Sequence, residues 1–280
     1  MKIIHISDLH IDSAVHADDG REIDRLNALV KEIIRANYPK GTVVVITGDL
    51  TNNGMHLHNT KEKNPVYEKV QELKNAGFEV LVIPGNHDYG NGIHPMPNKN
   101  KLGQAFKEIF YNDKNATYPR IDTFENTVFI GVDTVLACGI LETLSMGKVG
   151  KDQINSVKNA LNNAKQSNKK TVVYLHYNPF KCKYSLKLND RDDFINAING
   201  KTDLLLFGHI HVGDTGLNAN CNNLIPRAYN AGSSTDTDNK DDWQPSYRVI
   251  DLDESASNDR LINFSDIAAI AGQCVAEFAQ

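Results

Sequence analysis

Four cysteines occur in the 280 residues, Cys138, Cys182, Cys221 and Cys274, and no two form a C-x-x-C pair. That excludes a disulfide framework and a thiolate zinc knuckle, and it reads as free thiols in a reducing compartment. No apolar run approaches the roughly 20 residues of a membrane helix, so no membrane partner is expected. The first apolar stretch, Ile3–Ile6, is too short for a secretory leader and runs directly into Ser7-Asp8-Leu9-His10. A cytoplasmic location is expected on that basis. No basic footprint is present either: the formal charge is −5, which argues against nucleic acid as a partner. Low-complexity linkers and internal repeats are also absent, and the chain reads as a single domain over 1–280. Its hydrophobic and charged fractions, 40% and 23%, are those of an ordinary globular protein long enough to bury its own core.

What is present is an alternation of short β-branched runs with helical stripes. Lys2–Ile6, Thr42–Thr47, Glu79–Ile83, Thr127–Val132, Thr171–Leu175 and Asp203–Phe207 read as buried strands. Between them, Ile23–Tyr38, Val66–Ala76, Leu102–Tyr111 and Lys151–Lys165 carry apolar residues at helical spacing. Strand, helix, strand, repeated, implies parallel pairing with helices packed outside. Leu224–Tyr229 and Tyr247–Leu252 add β-structure late in the chain, suggesting a second, partly antiparallel sheet. Residues 266–280 read as a C-terminal tail with a weak Ala-rich helix at Asp266–Phe278, a candidate to cover the sheet, lie against the site or make the contact in a homodimer.

Five strands end in polar clusters: Asp8-Leu9-His10, Gly48-Asp49-Leu50-Thr51-Asn52, Gly85-Asn86-His87-Asp88, His176, and Gly208-His209-Ile210-His211. Ligands of open α/β sheets sit outside the carboxyl ends of the strands, so the five clusters converge on one rim. Asp8 and His10 are two apart, as are His209 and His211, and in extended backbone such pairs face the same side. Aspartate, asparagine and histidine without thiolate form a mixed oxygen and nitrogen set suited to Mn, Fe or Zn. Glycine precedes Asp49, Asn86 and His209, where it permits close backbone approach. Each short pattern recurs by chance when taken alone; five in order at strand ends do not.

The candidates Asp8, His10, Asp49, Asn86, His176, His209 and His211 exceed what one tetrahedral ion needs. They suit two divalent or trivalent ions about 3.5–4 Å apart, with Asp49 as the bridging carboxylate. Such a pair stays net positive, attracts a phosphoryl oxygen, and lowers the pKa of bound water so that hydroxide attacks a phosphate ester.

The order D-x-H, G-D, G-N-H-D, H, G-H-x-H, running from Asp8 to His211, resembles the calcineurin-like metallophosphoesterase superfamily. The phrases His5-Ile6-Ser7-Asp8-Leu9-His10 and Gly48-Asp49-Leu50-Thr51 are similar to its cyclic-nucleotide phosphodiesterase branch. The resemblance implies a four-layer α/β/β/α sandwich of two mixed sheets flanked by helices. It implies one ion on Asp8, His10, Asp49 and His211, and another on Asp49, Asn86, His176 and His209. It implies that His87, not itself a ligand, protonates the leaving oxygen or stabilises the transition state, with Asp88 orienting it. Two departures bear on substrate: His176-Tyr177-Asn178-Pro179 stands where a second histidine and prolines are common, and Asn53 where an acidic residue is common.

The substrate expected is a small-molecule phosphodiester, a cyclic nucleotide among the candidates. Motif flanks hold no arginine, which a more highly charged monoester would call for; only Lys181 and Lys183 lie near His176 in sequence. A phosphomonoesterase with the same metals, a nuclease and a non-catalytic scaffold are the alternatives. His56, His58 and His94 are candidates for lining the pocket, as are Tyr89 and Tyr177 for stacking on a substrate ring, while His5 reads as structural.

Overall fold

The computed structural model describes residues 1–11, 21–57, 64–92, 99–135, 146–180, 186–213, 224–235 and 244–263. Ten strands are present among them: β1 (Lys2–Ile6), β2 (Val43–Ile46), β3 (Glu79–Val82), β4 (Arg120–Phe124), β5 (Thr127–Val132), β6 (Lys170–Leu175), β7 (Leu204–Phe207), β8 (Ala228–Asn230), β9 (Ser246–Asp251) and β10 (Arg260–Asn263). They form two five-stranded sheets, ordered β10-β9-β1-β2-β3 and β4-β5-β6-β7-β8. In the first, β1, β2 and β3 are parallel while β9 and β10 run against them. In the second, β5 to β8 are parallel and β4 is the antiparallel edge.

The helices are α1 (Arg21–Arg35), α2 (Gly54–Leu57), α3 (Pro65–Asn75), α4 (Lys99–Tyr111), α5 (Lys151–Gln166) and α6 (Arg191–Ile198). Helix α3 shows why the sequence starts and stops where it does. The Asn64 side chain accepts from the Tyr67 N–H at 3.0 Å, and Pro65 occupies the first turn, where its missing donor costs nothing. Gly77, with φ +95°, lets the chain turn back toward β3.

Strand alternation sorts the apolar residues into layers. Ile3, Val43, Val45 and Leu81 face the second sheet and meet Phe129, Val172, Tyr174, Leu204 and Leu206 across the sandwich. Ile4, Ile6, Val44 and Ile46 face outward in a core shared with Leu26, Leu29, Val30 and Ile33 of α1. Leu161 and Val157 of α5 and Phe194 of α6 are likewise wholly buried among the outward residues of the second sheet. Each such aliphatic side chain contributes about 1.5–3 kcal/mol on burial. The expected four-layer α/β/β/α sandwich is the fold observed.

Two expected strand limits move for visible reasons. Asp203 lies just before β7: its N–H still donates to the Thr171 carbonyl (3.1 Å), but the Thr171 N–H goes to its carboxylate (2.7 Å) and not to backbone. Leu224–Tyr229 shrinks to Ala228–Asn230, since Pro226 cannot donate to a sheet. Strands β4 and β10, both short edges with mixed polarity, and the short helices α2 and α6 gave no readable period. The tail Asp266–Phe278 lies outside the described residues. No helix among the described residues is long and apolar enough to cross a membrane.

The register fixes where the loops leave. Ile6, Ile46 and Val82 are partners across β1, β2 and β3, so Ser7, Thr47 and Ile83 emerge side by side. In the second sheet Leu206 pairs Tyr174, which places His176 beside Gly208, and the Gly208 N–H donates to the His176 carbonyl at 2.9 Å.

Candidate metal centre

The loops after β1 and β2 are laced together: Asp8 N donates to Gly48 O (3.0 Å), His10 N to Asp49 O (3.0 Å) and Ile11 N to Leu50 O (3.1 Å). Asp8, His10, Asp49 and His209 all have positive φ, at 51°, 46°, 50° and 71°. Non-glycine residues rarely adopt this region, at a cost of order 1–3 kcal/mol each, and where they do so together they mark a site held by its surroundings. This corrects one expectation. Asp8 and His10 reach the same pocket through a left-handed turn beyond the end of β1, not through the pleat of an extended strand.

Two glycines are demanded by close approach. A Cβ on Gly85 would fall 2.1 Å from Asp49 Oδ1, and one on Gly208 would fall 2.1 Å from Ser7 Oγ and 2.5 Å from Asp8 Oδ2. Both carboxylates therefore lie directly against backbone of a neighbouring loop. The His209 N–H donates to both oxygens of Asp8 (3.2 and 3.1 Å), and the His87 N–H donates to Asp49 Oδ1 (2.9 Å).

The donor atoms gather in three overlapping groups, each within 4.8 Å: Asp8, His10 and His211; Asp49, His176 and His209; and His10, Asp49 and His87. Asp8, Asp49 and His176 are fully buried, His209 nearly so. Asp49 Oδ2 lies 3.2 Å from His176 Nε2 on one side and 3.8 Å from His10 Nε2 on the other. Among the described residues neither Asp8 nor Asp49 has a lysine or arginine partner; their ion-pair neighbours are imidazoles.

Two contacts test whether this set fits a cation. His176 Nδ1 donates to the Thr47 carbonyl (2.8 Å), so its Nε2 carries the lone pair of the neutral ring. That Nε2 faces Asn86 Oδ1 at 2.9 Å and Asp49 Oδ2 at 3.2 Å, both acceptors. The Asn86 amide cannot turn its NH2 inward, because Nδ2 already donates to Gly92 O (2.8 Å). Three lone pairs thus converge, and only a second proton or a metal ion reconciles them. His10 Nε2 and His211 Nε2 lie 3.0 Å apart, close enough for one ring to donate to the other.

The protonation equilibria carry the same signature. Burial opposes charge on His176, but the adjacent Asp49 carboxylate outweighs it and lifts the pKa to about 9. Burial drives His10 well below the usual histidine range, leaving a neutral ring. Burial raises Asp8, against the pull of His176 and His211. For Asp49 the neighbouring His176 and His87 overcome burial and hold the carboxyl well below its ordinary range.

The role expected for Asp88 needs correction. Its carboxylate accepts Leu50 N–H (3.0 Å), Thr51 N–H (3.1 Å) and Gly85 N–H (2.8 Å), stitching the Asp49 loop to the Asn86 loop. The His87 ring is oriented instead by the Asn52 carbonyl, 2.8 Å from Nδ1. Burial and the Asp49 charge push the Asp88 pKa up to about 7 in spite of the three donors. Asp88→Ala leaves three buried N–H groups without their acceptor and is expected to lower the unfolding free energy by about 3 kcal/mol. Urea unfolding of the metal-free protein measures this; an unchanged midpoint would show that the two loops hold each other without the carboxylate.

Tyr89 and Tyr177 are completely buried and cannot stack on a substrate: Tyr89 OH donates to Asp133 (3.0 Å), and the Tyr177 ring packs 4.3 Å from that of His209. Asn53 accepts the Met55 N–H at 3.0 Å, capping the start of α2. His5 is structural, buried with Nε2 2.9 Å from Thr47 Oγ1. His58, His94, Lys181, Lys183 and the side chain of His56 lie outside what is described.

Sequence reading missed the segment after β8. Ser233 Oγ donates to the Asp8 carbonyl (2.7 Å), Ser234 N to Ser7 O (3.0 Å) and Thr235 Oγ1 to Leu9 O, clamping the Asp8 loop from the far side. All three side chains are fully buried. The available signal was Gly232-Ser233-Ser234 following a short apolar run at a sixth strand end.

Two mixed sheets stacked back to back, with buried aspartates and imidazoles delivered by loops at one end, define a metallohydrolase-type sandwich. The chain belongs to the calcineurin-like phosphoesterase family, whose model matches residues 1–213. One similar protein, from Arcobacter nitrofigilis, is named as a probable glycerophosphodiester phosphodiesterase; it is 28% identical over 65% of this chain. The match spans 58% of that relative's length. A protein named as a probable cyclic nucleotide phosphodiesterase, from Coxiella burnetii, is 26% identical over 75% of this chain and 76% of its own. A solved dimetal phosphatase from Danio rerio shares the fold, with a TM-score of 0.55 and 14% identity over 89% of this chain and 91% of that one.

Proposed function

We propose that this protein is a metal-dependent phosphodiesterase of small molecules, with cyclic nucleotides as the first substrates to try. Asp8, His10, Asp49 and His211 would hold one ion, and Asp49, Asn86, His176 and His209 the other. The observation that carries this reading is the Asp49 carboxylate, buried between His10 and His176 with no lysine or arginine partner. Bound there, two ions would supply Lewis acidity for the phosphoryl oxygens and a water of lowered pKa.

The chain's own groups do the rest. Thr47 O and Gly92 O fix His176 and Asn86 so that their ligand atoms point inward. His87 holds Nδ1–H on the Asn52 carbonyl, so Nε2 is the nitrogen left to exchange a proton with a leaving alkoxide. A diester carries one negative charge less than a fully ionised monoester, which suits a site whose buried aspartates have only imidazoles beside them. The printed names of the two relatives, both phosphodiesterases, support the same choice.

The test is hydrolysis of a chromogenic phosphodiester and its monoester by Mn²⁺-loaded protein, with His209→Ala as control. Diester turnover is expected, falling by a factor on the order of 10² or more in the control, since a ligand is worth at least what its supporting groups are. Preference for the monoester would make the protein a phosphatase. No turnover of either with two metals bound would sink the proposal.

A further inference from the structure

Three atoms of the His87 ring occupy the space where a side chain on Gly92 would stand. A Cβ there would lie 2.1 Å from His87 Nε2, 2.4 Å from Cε1 and 2.5 Å from Cδ2, and the residue has φ +81°. Gly92 is pinned in turn, because its carbonyl takes the Asn86 amide at 2.8 Å. The ring has two other supports: the Asn52 carbonyl at Nδ1 and the His10 ring, edge-on with centroids 4.7 Å apart.

We propose that Gly92 is a positioning residue for His87, its bare Cα forming the seat on which the ring face rests at Nε2. The proposal rests on the phosphodiesterase reading for its kinetic consequence, though not for its geometry. A methyl group at 92 cannot coexist with the ring in place. Either the ring swings off the Asn52 carbonyl or the loop moves, and in both cases Nε2 loses its aim.

Backbone strain alone has a matched control. Gly77 also has positive φ, at +95°, and a Cβ there meets nothing within 4 Å. Gly77→Ala therefore carries the same kind of conformational cost as Gly92→Ala without touching His87. Both variants, His87→Asn, and the double variant His87→Asn/Gly92→Ala are compared on a diester with an alkoxide leaving group and one with 4-nitrophenolate, with metal content measured in each. In metal-free protein, ¹⁵N NMR of the histidine rings reports the His87 tautomer.

Gly92→Ala is expected to lose a factor on the order of 10²–10⁴ on the alkoxide ester, the range of general acid catalysis. The loss on 4-nitrophenolate, which leaves unaided, should be far smaller, both metals should remain, and adding His87→Asn should change nothing more. The Nδ1–H tautomer of His87 should give way in Gly92→Ala and persist in Gly77→Ala. Equal losses on both esters with metal released, multiplying losses in the double variant, or a wild-type leaving-group profile would overturn the proposal. If the wild type turns over neither diester, the functional reading fails, and a retained Nδ1–H tautomer in Gly92→Ala then overturns the positioning role on its own.

Discussion

Replacing Asp49 with alanine is expected to strip metal from both halves of the site and to lower turnover by a factor of about 10³ or more, the scale of losing a preorganised electrostatic group. The reason lies in where its two oxygens point. Oδ2 stands between His10 and His176, and Oδ1 accepts the His87 N–H while resting against Gly85. No neighbour can replace it, because Asp8, the other buried carboxylate of the cluster, is engaged by the His209 N–H on the far side. His176 would also lose the negative charge that raises its pKa to about 9. Truncating His211, at the half-exposed edge of the site, should release one ion and leave the other. Metal analysis after gel filtration separates the cases. Asp49→Ala holding two equivalents would refute the shared-ligand assignment, and one equivalent would make Asp49 an ordinary ligand of a single ion.

The candidate ligands were legible because a parallel strand announces itself twice, by a β-branched run and by the polar cluster at its carboxyl end. Neither signal depends on tertiary detail. Conformation and partners were not legible. Nothing in Asp8-Leu9-His10 marks two left-handed residues, since φ there is set by bonds to Gly48 and Asp49 from another strand. Asp88 was expected beside the His87 imidazole because the family resemblance implies that role. In the fold it faces the opposite way, toward three backbone N–H groups that only the meeting of two loops supplies. Tyr89 and Tyr177 are of a type that can stack on a ring, but in the fold Tyr89 packs edge-on against Phe106 of α4 and Tyr177 packs against His209, which buries both. The Ser233–Thr235 clamp offered only Gly232-Ser233-Ser234 as a signal, and its partners are set once β8 lies beside β7.

His87→Asn is expected to keep both metals and to lower turnover by a factor on the order of 10²–10⁴ on esters with alkoxide leaving groups. Asparagine preserves much of what His87 does structurally. The backbone N–H that binds Asp49 Oδ1 is untouched, and the new amide NH2 can stand near the position of Nδ1 and donate to the Asn52 carbonyl. What it lacks is a titratable nitrogen at the Nε2 position. The loss should therefore track the basicity of the leaving group, large for an alkoxide and slight for 4-nitrophenolate. This dependence matters because the structure admits another role: His87 falls within the same 4.8 Å grouping as His10 and Asp49, which is ligand distance as much as proton-donor distance. A ligand, once removed, lowers metal content and slows every substrate alike. A proton donor leaves the metals in place and slows only the substrates that need the proton. Loss of a metal equivalent from His87→Asn, with equal rate loss on both esters, would move His87 from acid to ligand.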